Sequence, residues 1–260
     1  MILDDLADHA RERVAAAKAR LPLEDIKARA RSLPRGGLPF EAALRAPGLS
    51  FICEIKKASP SKGVISPDFP YLDIARAYEA AGADCVSVLT EPKWFLGGDD
   101  IFRAVRGAIS LPMLRKDFTV DEYQLYEAKI LGADAVLLLC ALLDQETIRA
   151  YLSICDGLGL TALVEAHDEG ELAAAVAAGA RVVGVNNRNL KDFTVDVGNS
   201  ARLRAKIPPG VLFVAESGVS GPADAAAIGA MGADAALVGE HLMRAPDKKA
   251  ALDGLRGAAR

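Results

Sequence analysis

Four segments of the chain repeat one pattern of apolar and polar positions. They read AAGADCVSVL from Ala80, ILGADAVLLL from Ile130, AAGARVVGVN from Ala177 and AMGADAALVG from Ala230. In each segment an apolar helix ends at a glycine, which can adopt the left-handed conformation that closes a helix. A short polar step follows, and then a run rich in Val and Leu. Because this run is apolar on both faces, it predicts a parallel strand covered by helices.

Four further apolar runs alternate with these segments, at residues 51–56, 111–116, 160–165 and 211–216. The two sets interleave into eight predicted strands, and helical patterns fill the gaps between them. Eight strand–helix units in about 200 residues are what a TIM barrel requires. A doubly wound open sheet is the alternative, but no G-x-G-x-x-G sequence follows any of the strands. We therefore predict an α/β protein with a (β/α)8 TIM barrel.

Three helical patterns precede the first predicted strand, at residues 3–20, 22–33 and 39–46. No stretch rich in Ser and Gly separates them from the rest of the chain. We therefore predict a single domain, residues 1–260, in which residues 1–48 form a helical N-terminal extension and residues 49–260 form the barrel. The length suits one large domain.

Composition and charge exclude several classes of protein. With 51% hydrophobic and 25% charged residues, the chain is typical of globular proteins. A net charge of -4 and 5% aromatic residues argue against a nucleic-acid partner. The longest apolar run, residues 135–143, is too short for a membrane span of about 20 residues. Acidic residues near the start, where a secretory signal needs basic ones, lead us to expect a cytoplasmic protein.

Cysteines and histidines give no support to a metal site. Cys53, Cys85, Cys140 and Cys155 contain no C-x-x-C pair, and the three histidines contain no H-x-x-x-H pair. We interpret the cysteines as small apolar core residues. The sequence therefore predicts no bound metal.

Polar residues stand at the carboxyl ends of the predicted strands, the end that carries the active site in a TIM barrel. Glu54 and Lys56 end the first strand and share a face, because side chains alternate along a strand, so Cys53 faces the helices. The other strand ends carry Lys116, Glu165, Asn186 with Arg188 just beyond it, and Glu216 followed by Ser217 and Gly218.

Five of these residues are charged, namely Glu54, Lys56, Lys116, Glu165 and Glu216, and would meet inside the barrel mouth. Charged side chains are almost never buried without partners, so we expect the three acids and two bases to partner one another. A salt-bridge network that only closes the barrel is the alternative. Because buried ion pairs rarely repay their desolvation as stability, the pattern favours catalysis.

Glycines after the last two predicted strands indicate an anion site. Gly218 follows the seventh strand, and Gly239 follows the eighth with Glu240 beside it. Glycine lets backbone N–H groups approach an anion, and TIM barrels frequently bind phosphate at these two loops. The alternative is that these glycines only form tight turns. We interpret the long, lysine-bearing loop at residues 57–70 as a lid that helps to hold an anionic substrate.

Five motifs at different strand ends resemble one enzyme family. They are CEIKKASPSKG from Cys53, RKDF from Arg115, LVEAH from Leu163, GVNNRNL from Gly184 and AESGV from Ala215. Together they resemble indole-3-glycerol phosphate synthase, a family of tryptophan biosynthesis, over nearly the whole chain. The resemblance implies a lyase that converts 1-(2-carboxyphenylamino)-1-deoxyribulose 5-phosphate to indole-3-glycerol phosphate, carbon dioxide and water. It implies no metal and no organic cofactor.

The resemblance also implies roles for the residues at the strand ends. Lys116 would be the general acid that protonates the carbonyl oxygen during ring closure, with Glu54 as its charged partner and as an acid or base. Lys56 would contact the substrate carboxylate and is a candidate acid for the loss of water. Glu165 would be a second acid or base, or an electrostatic stabiliser. Asn186 would orient a substrate hydroxyl, and Glu216 would be a supporting carboxylate. Phe118 would pack on the aromatic ring of the substrate, and Ser59 and Arg188 would also bind the substrate. The residues near the phosphate would be Ser217, Gly218, Gly239 and Glu240.

Two positions depart from some relatives of this family. Ala58 stands where some carry a basic residue, and Glu240 stands where some carry a small hydroxyl residue. Because an acid beside a phosphate is unfavourable, we expect only the backbone N–H of Glu240 to point inward.

Two alternative functions stay open at this point. Phosphoribosylanthranilate isomerase, another phosphate-binding barrel, uses a Cys on the first strand and an Asp on the sixth, where this chain has an outward-facing Cys53 and Asn186. A barrel that binds a metabolite without turnover is the other alternative. In each case we expect a phosphorylated small molecule as the partner, and a monomer, with a homodimer as the alternative.

Overall fold

Eight parallel strands close into a barrel in the computed structural model, which describes residues 2–189 and 194–259. Each strand pairs with the next along the chain, and the last pairs with the first, where Ser50 lies opposite Ala235. The strands are β1 (Ser50–Ile55), β2 (Cys85–Leu89), β3 (Met113–Lys116), β4 (Ala135–Leu139), β5 (Thr161–Ala166), β6 (Val182–Asn186), β7 (Leu212–Glu216) and β8 (Ala235–Val238). This closed barrel confirms the predicted TIM-barrel fold.

Helices alternate with the strands and cover the outside of the barrel. They are α1 (Ile2–Arg20), α2 (Leu23–Arg31), α3 (Pro39–Leu44), α4 (Tyr71–Ala80), α5 (Asp99–Arg106), α6 (Tyr123–Leu131), α7 (Gln145–Leu158), α8 (Glu169–Ala178), α9 (Gly198–Arg204), α10 (Pro222–Ala230), α11 (Glu240–Arg244) and α12 (Lys248–Ala258). Within the described part of the chain, none of these helices is long and apolar enough to cross a membrane.

The repeated glycine of the four similar segments closes a helix in each case. Gly82, Gly132, Gly179 and Gly232 all have positive φ angles, of 81°, 84°, 99° and 74°. An L-residue with a side chain rarely adopts this conformation, so glycine is the residue that lets the chain leave the helix and enter the next strand. This confirms the helix ends that the pattern predicts.

Alternation along the strands divides the apolar residues between two cores. Ile52 points into the barrel, where it packs with side chains such as Leu114 and Leu163. Cys53 and Ile55 point outward, into the core between the strands and the surrounding helices. Because side chains two positions apart share a face, the residue above Ile52 on the inner face is Glu54. The polar mouth of the barrel therefore lies directly above an apolar interior.

The helices that precede the barrel contact it at both ends. Leu3 and Leu6 of α1 lie at the mouth, where they line the cavity described below. Phe40 and Leu44 of α3 pack with the interior residues at the opposite end. Residues of α1 and α2 also belong to the outer core of the barrel. This packing favours a single domain with an N-terminal extension, which stays a prediction.

An ion pair fastens α1 to the loop that follows β3. Both terminal guanidinium nitrogens of Arg13 donate to the Asp117 carboxylate, at 2.7 and 3.0 Å, and Thr90 Oγ1 donates to it at 2.6 Å. Burial raises the pKa of Asp117, but the hydrogen bond and charge of Arg13 outweigh this effect and lower it. Since Asp117 follows Lys116 directly, the pair also fixes the backbone next to that residue.

We expect the substitution Arg13→Met to lower the free energy of unfolding by about 3 kcal/mol, because it leaves the buried Asp117 carboxylate without its main partner. Urea denaturation followed by circular dichroism measures this change. Arg11→Met is the matched control on the same helix, since the Arg11 side chain is 58% exposed and pairs with an exposed Asp8. The control should change stability by about 0.5 kcal/mol or less. Equal losses in the two variants would contradict the assignment.

Candidate active site

A cavity of about 630 Å³ opens at the carboxyl ends of the strands. This volume lies within the range of about 300–1,000 Å³ that is usual for small-molecule sites. The cavity is lined by all the residues that the sequence analysis assigned to catalysis or substrate binding: Glu54, Lys56, Ser59, Lys116, Phe118, Glu165, Asn186, Arg188, Glu216, Ser217, Gly218, Gly239 and Glu240. Among the described residues, no group of His, Cys, Asp and Glu side chains could hold a metal ion.

Lys116 lies between two carboxylates at the centre of the mouth. Its Nζ is 3.5 Å from Glu216 Oε2 and 3.7 Å from Glu54 Oε1. Burial lowers the pKa of Lys116, but the surrounding carboxylates, led by Glu216, raise it well above its usual value. The side chain is therefore an ammonium ion at neutral pH, half-buried on the wall of the cavity.

Glu54 contacts both lysines of the mouth. Its Oε2 accepts a hydrogen bond from Lys56 Nζ, on the same face of β1, and its Oε1 faces Lys116. Burial raises the pKa of Glu54, yet the charges of Lys56 and Lys116 outweigh it and lower the pKa below its usual range. Glu54 is therefore a carboxylate that balances two cations.

Glu165 has two close partners that are not lysines. Asn186 Nδ2 donates to Glu165 Oε1 at 3.0 Å, and His167 Nε2 lies 3.2 Å from the same oxygen, an ion-pair contact without the alignment of a hydrogen bond. Burial raises the pKa of Glu165, but His167 and the charge of Lys116 together lower it well below its usual value. The expectation that the five charged residues partner one another therefore holds for Glu54, Lys56, Lys116 and Glu216, whereas the close partners of Glu165 are different.

Glu216 is buried with no hydrogen bond to either carboxylate oxygen within the described residues. The contact with Lys116 at 3.5 Å is an ion pair without the alignment of a hydrogen bond. Burial and the repulsion of Glu165 raise the pKa of Glu216 above its usual value, and Lys116 only partly opposes this. A buried, unsatisfied carboxyl group that lines a cavity is available to bind a polar group of a substrate.

Gly184 on β6 provides the space that Glu216 occupies. A Cβ atom at this position would lie 2.0 Å from Glu216 Oε1, closer than two such atoms can approach. Gly239 has a similar relation to the first strand, since its Cβ would lie 2.4 Å from Glu54 Oε2. Two glycines therefore give room to two of the carboxylates around Lys116. The sequence analysis assigned no role to Gly184.

The loops after β7 and β8 bring backbone groups to one side of the cavity. Ser217 and Gly218 both have positive φ angles, of 64° and 90°, so the chain turns sharply at the end of β7. Such a φ is uncommon for a residue other than glycine, and it occurs often at functional sites. Gly239 lies at the end of the neighbouring strand, between β8 and α11.

Two cations hold the Glu240 side chain. Its carboxylate accepts a hydrogen bond from Arg244 Nε at 3.0 Å and lies 3.4 Å from Lys62 Nζ. Lys62 belongs to the loop after β1, which contains a short hairpin of Ala58–Ser59 and Gly63–Val64. The loop therefore supplies a cation at this side of the mouth although Ala58 supplies none. The acid that seemed unfavourable beside a phosphate is neutralised by its neighbours.

Phe118 forms part of an apolar wall of the cavity. Its ring lies 6.0 Å from the ring of Phe95, at a tilt of 44°, and it packs against the interior core of the barrel. Both rings line the cavity together with Leu3 and Leu6 of α1. This wall is suited to a flat aromatic group of a ligand.

A model of the family described as indole-3-glycerol phosphate synthase matches residues 3–255 of the chain. A protein of that name from Ruminiclostridium cellulolyticum is 54% identical over 260 residues, which cover 100% of both chains. Another, from Leuconostoc mesenteroides, is 47% identical over 99% of both chains.

The chain belongs to the indole-3-glycerol phosphate synthase family. It is therefore an enzyme of the carboxy-lyase class, and its place is in tryptophan biosynthesis. The two alternative functions are not favoured. Cys53, which an isomerase of the phosphoribosylanthranilate type would need in the mouth, is buried in the outer core, and β6 ends in Asn186 instead of an Asp.

Solved structures of other proteins share the fold of this indole-3-glycerol phosphate synthase family member. A thiamine phosphate pyrophosphorylase from Pyrococcus furiosus aligns with a TM-score of 0.61 and 16% identity, over 81% of this chain and 95% of the other. At that identity the similarity concerns the barrel architecture alone.

We expect Gly184→Ala to reduce kcat about tenfold or more with little loss of stability. The new methyl group displaces the end of the flexible Glu216 side chain, whereas alanine suits a strand at least as well as glycine. Steady-state kinetics and a thermal melt measure the two effects. Gly157→Ala is the control, because a Cβ there has no neighbour within 4 Å and the residue lies in α7. Unchanged kcat in Gly184→Ala would show that the position of Glu216 does not matter.

Proposed function

We propose that the protein closes the indole ring of 1-(2-carboxyphenylamino)-1-deoxyribulose 5-phosphate, with Lys116 as the general acid. The observation that carries this assignment is the half-buried ammonium group of Lys116 between Glu54 and Glu216. A ketone is a weak electrophile, so the attack of an aromatic ring on it needs a proton donor at the ketone oxygen. An ammonium ion kept charged by acids inside a cavity is such a donor.

Ring closure is the first step of the proposed reaction. The aromatic carbon that bears the carboxylate attacks the ketone carbon, and the anilino nitrogen supplies the electron pair and becomes an iminium. Lys116 transfers its proton to the ketone oxygen, which becomes a hydroxyl group. Phe118 packs against the aromatic ring and holds it over the ketone, which lowers the entropic part of the barrier.

Decarboxylation and loss of water follow. The bond to the carboxylate breaks, carbon dioxide leaves, and the electron pair restores the aromatic ring and the neutral nitrogen. Lys56, which first contacts the carboxylate, protonates the hydroxyl group as it leaves as water. Glu165 removes the proton from the neighbouring carbon, with Glu54 as the alternative base, and the indole ring is complete. Each such group contributes about 10²–10⁴ in rate.

The rest of the substrate is assigned to the opposite side of the cavity. The phosphate binds to backbone N–H groups near Gly218 and Gly239, with Ser217 beside them. Asn186 orients a hydroxyl group of the sugar chain, and Glu216 supports the charge of Lys116. Ser59 and Arg188 complete the substrate contacts, together with the backbone of Glu240. Support comes from their common position on the cavity wall.

We also propose that the enzyme works in the cytoplasm as a monomer. Four cysteines without disulfide partners fit a reducing compartment. All the proposed catalytic groups come from one chain, so turnover requires no second copy.

The activity is tested by incubating the purified protein with the carboxyphenylamino substrate and following the fluorescence of the indole product. We expect one carbon dioxide released for each indole formed. In parallel, phosphoribosylanthranilate is offered as the substrate of the alternative isomerase. Isomerisation of that compound without indole formation, or binding of either compound without turnover, would contradict the proposal.

In the same assay, Lys116→Met should lower kcat by about 10² or more while KM changes little, because the variant keeps most of the side-chain stem and loses the acid. Lys57→Met is the control, since Lys57 follows the same strand end as Lys56 but does not line the cavity. Near-normal kcat in Lys116→Met would show that another residue donates the proton, and Lys56 would be the next candidate.

The phosphate assignment is tested with two variants of the same size, Gly218→Asp and Gly218→Asn. Both residues tolerate a positive φ better than most, so the backbone strain is similar and the variants differ mainly in charge. A carboxylate beside a phosphate repels it, and Gly218→Asp should raise KM about tenfold above the value for Gly218→Asn. Equal KM values would place the phosphate elsewhere.

A further inference from the structure

His167 contacts Glu165, and the reaction proposed above gives it no role. Its ring lies at the end of β5, with Nε2 3.2 Å from Glu165 Oε1 and Nδ1 3.1 Å from Glu171 Oε2. Glu171 belongs to the first turn of α8, outside the strands. The imidazole therefore lies between a residue of the mouth and a residue of the surrounding helices.

Both ring nitrogens of His167 face carboxylate oxygens. A neutral imidazole carries one N–H, so one of the two contacts would bring a nitrogen lone pair against an anion. The imidazolium form carries a proton on each nitrogen, so it turns both contacts into attractive ones: a hydrogen bond from Nδ1 to Glu171 and an ion pair between Nε2 and Glu165. Burial lowers the pKa of His167, but Glu165 and Glu171 outweigh it and raise the pKa well above its usual range. The two carboxylate contacts and the raised pKa therefore both indicate that the His167 ring is protonated.

The backbone around the ring is fixed as well. Glu171 Oε2 accepts the backbone N–H of His167 at 2.7 Å, in addition to the contact with the ring. Asp168 caps α8 by accepting the backbone N–H of Glu171 at 2.9 Å. Asn199 Nδ2 donates to the His167 carbonyl oxygen at 3.0 Å. Contacts from two helices therefore hold the imidazole in place before any substrate arrives.

We propose that His167 is a positioning residue for Glu165: its imidazolium ring, anchored by Glu171, keeps the Glu165 carboxylate ionised and fixes its orientation. The proposal rests on the role of Glu165 as an acid or base in the reaction. His167 and Asn186 both contact Oε1, and neither contact uses Oε2. Oε2 is the oxygen we assign to proton transfer with the substrate.

The charges around Glu165 determine the direction in which its pKa changes when the His167 imidazolium is removed. Glu165 is faced by Lys116 on β3 and by the acid Glu216 on β7, while Glu171 contacts the other ring nitrogen of His167. Without the imidazolium, Glu165 keeps Lys116 as a nearby cation and Glu216 as a nearby acid. Its pKa must then rise, because an opposite charge favours the ionised carboxylate. The acidic limb of the pH profile therefore moves to higher pH.

The charge state is tested by NMR titration of the intact enzyme. The chain contains only three histidines, His9, His167 and His241, and the signal of His167 is the one that is lost in His167→Gln. We expect this signal to keep the chemical shift of an imidazolium from about pH 5 to pH 8, where an ordinary histidine titrates near 6.5. A His167 signal that titrates near 6.5 would overturn the proposal whether or not the enzyme is active.

The effect on Glu165 is tested by pH profiles of kcat and kcat/KM. His167→Gln keeps an N–H donor but removes the charge. We expect kcat to fall about tenfold at pH 7 and the acidic limb to rise by about one pH unit, with KM and the melting temperature nearly unchanged. Glu169→Gln is the control, because Glu169 is on the same helix turn but pairs with the exposed Lys206. Its profile should match that of the unmodified enzyme.

If the acidic limb of the pH profile does not move in His167→Gln, the proposal is wrong, even if kcat falls. A purely structural role of His167 would leave the pKa of Glu165, and therefore the acidic limb, unchanged. Glu165→Gln separates this result from a failure of the proposed reaction. If Glu165→Gln keeps normal kcat, Glu165 is not an acid or base and the assigned reaction step is wrong. The NMR titration still reports the charge of His167 in that case.

Discussion

The half-buried ammonium group of Lys116 lies between two carboxylates at the mouth of the barrel, and the rest of the site depends on this charge. An ammonium ion inside a protein is stable only with carboxylates around it. Glu54 and Glu216 supply them from two other strands, at 3.7 and 3.5 Å. Gly184 and Gly239 in turn leave the space in which these two carboxylates lie. The need to balance the charge of Lys116 thus explains both the two glutamates beside it and the two glycines that leave room for them.

The mouth contains more acids than lysines, and this imbalance shapes its chemistry. Three glutamates face two lysines, so one negative charge lacks a lysine partner. Two features accompany this imbalance. Burial and the repulsion of Glu165 raise the pKa of Glu216. A ring nitrogen of His167 contacts Glu165. The pKa values of two carboxyl groups at the mouth are therefore moved in opposite directions, that of Glu216 upward and that of Glu165 downward. Acid and base groups with separated pKa values are what a reaction with several proton transfers requires.

The periodic pattern of the chain was sufficient to predict the strands and the fold, because each strand end carries its own glycine or polar residue. It also predicted which side chains enter the mouth, since alternation along β1 places Glu54 and Lys56 on one face. The contact of Arg13 with Asp117 was not predictable, because it joins residues 104 positions apart through tertiary packing. His167 carried a usable signal: it follows Glu165 by two positions, as Lys56 follows Glu54.

The most direct test of the account is a crystal structure of the enzyme with a substrate analogue whose ketone is reduced to an alcohol. Such an analogue cannot close the ring, yet it places an oxygen where the ketone oxygen lies. The account predicts Lys116 Nζ within about 3 Å of that oxygen, at hydrogen-bond distance, with the phosphate at the loops after β7 and β8. If Lys56 Nζ contacts the oxygen and Lys116 remains beyond hydrogen-bond reach, the assignment of the general acid is wrong.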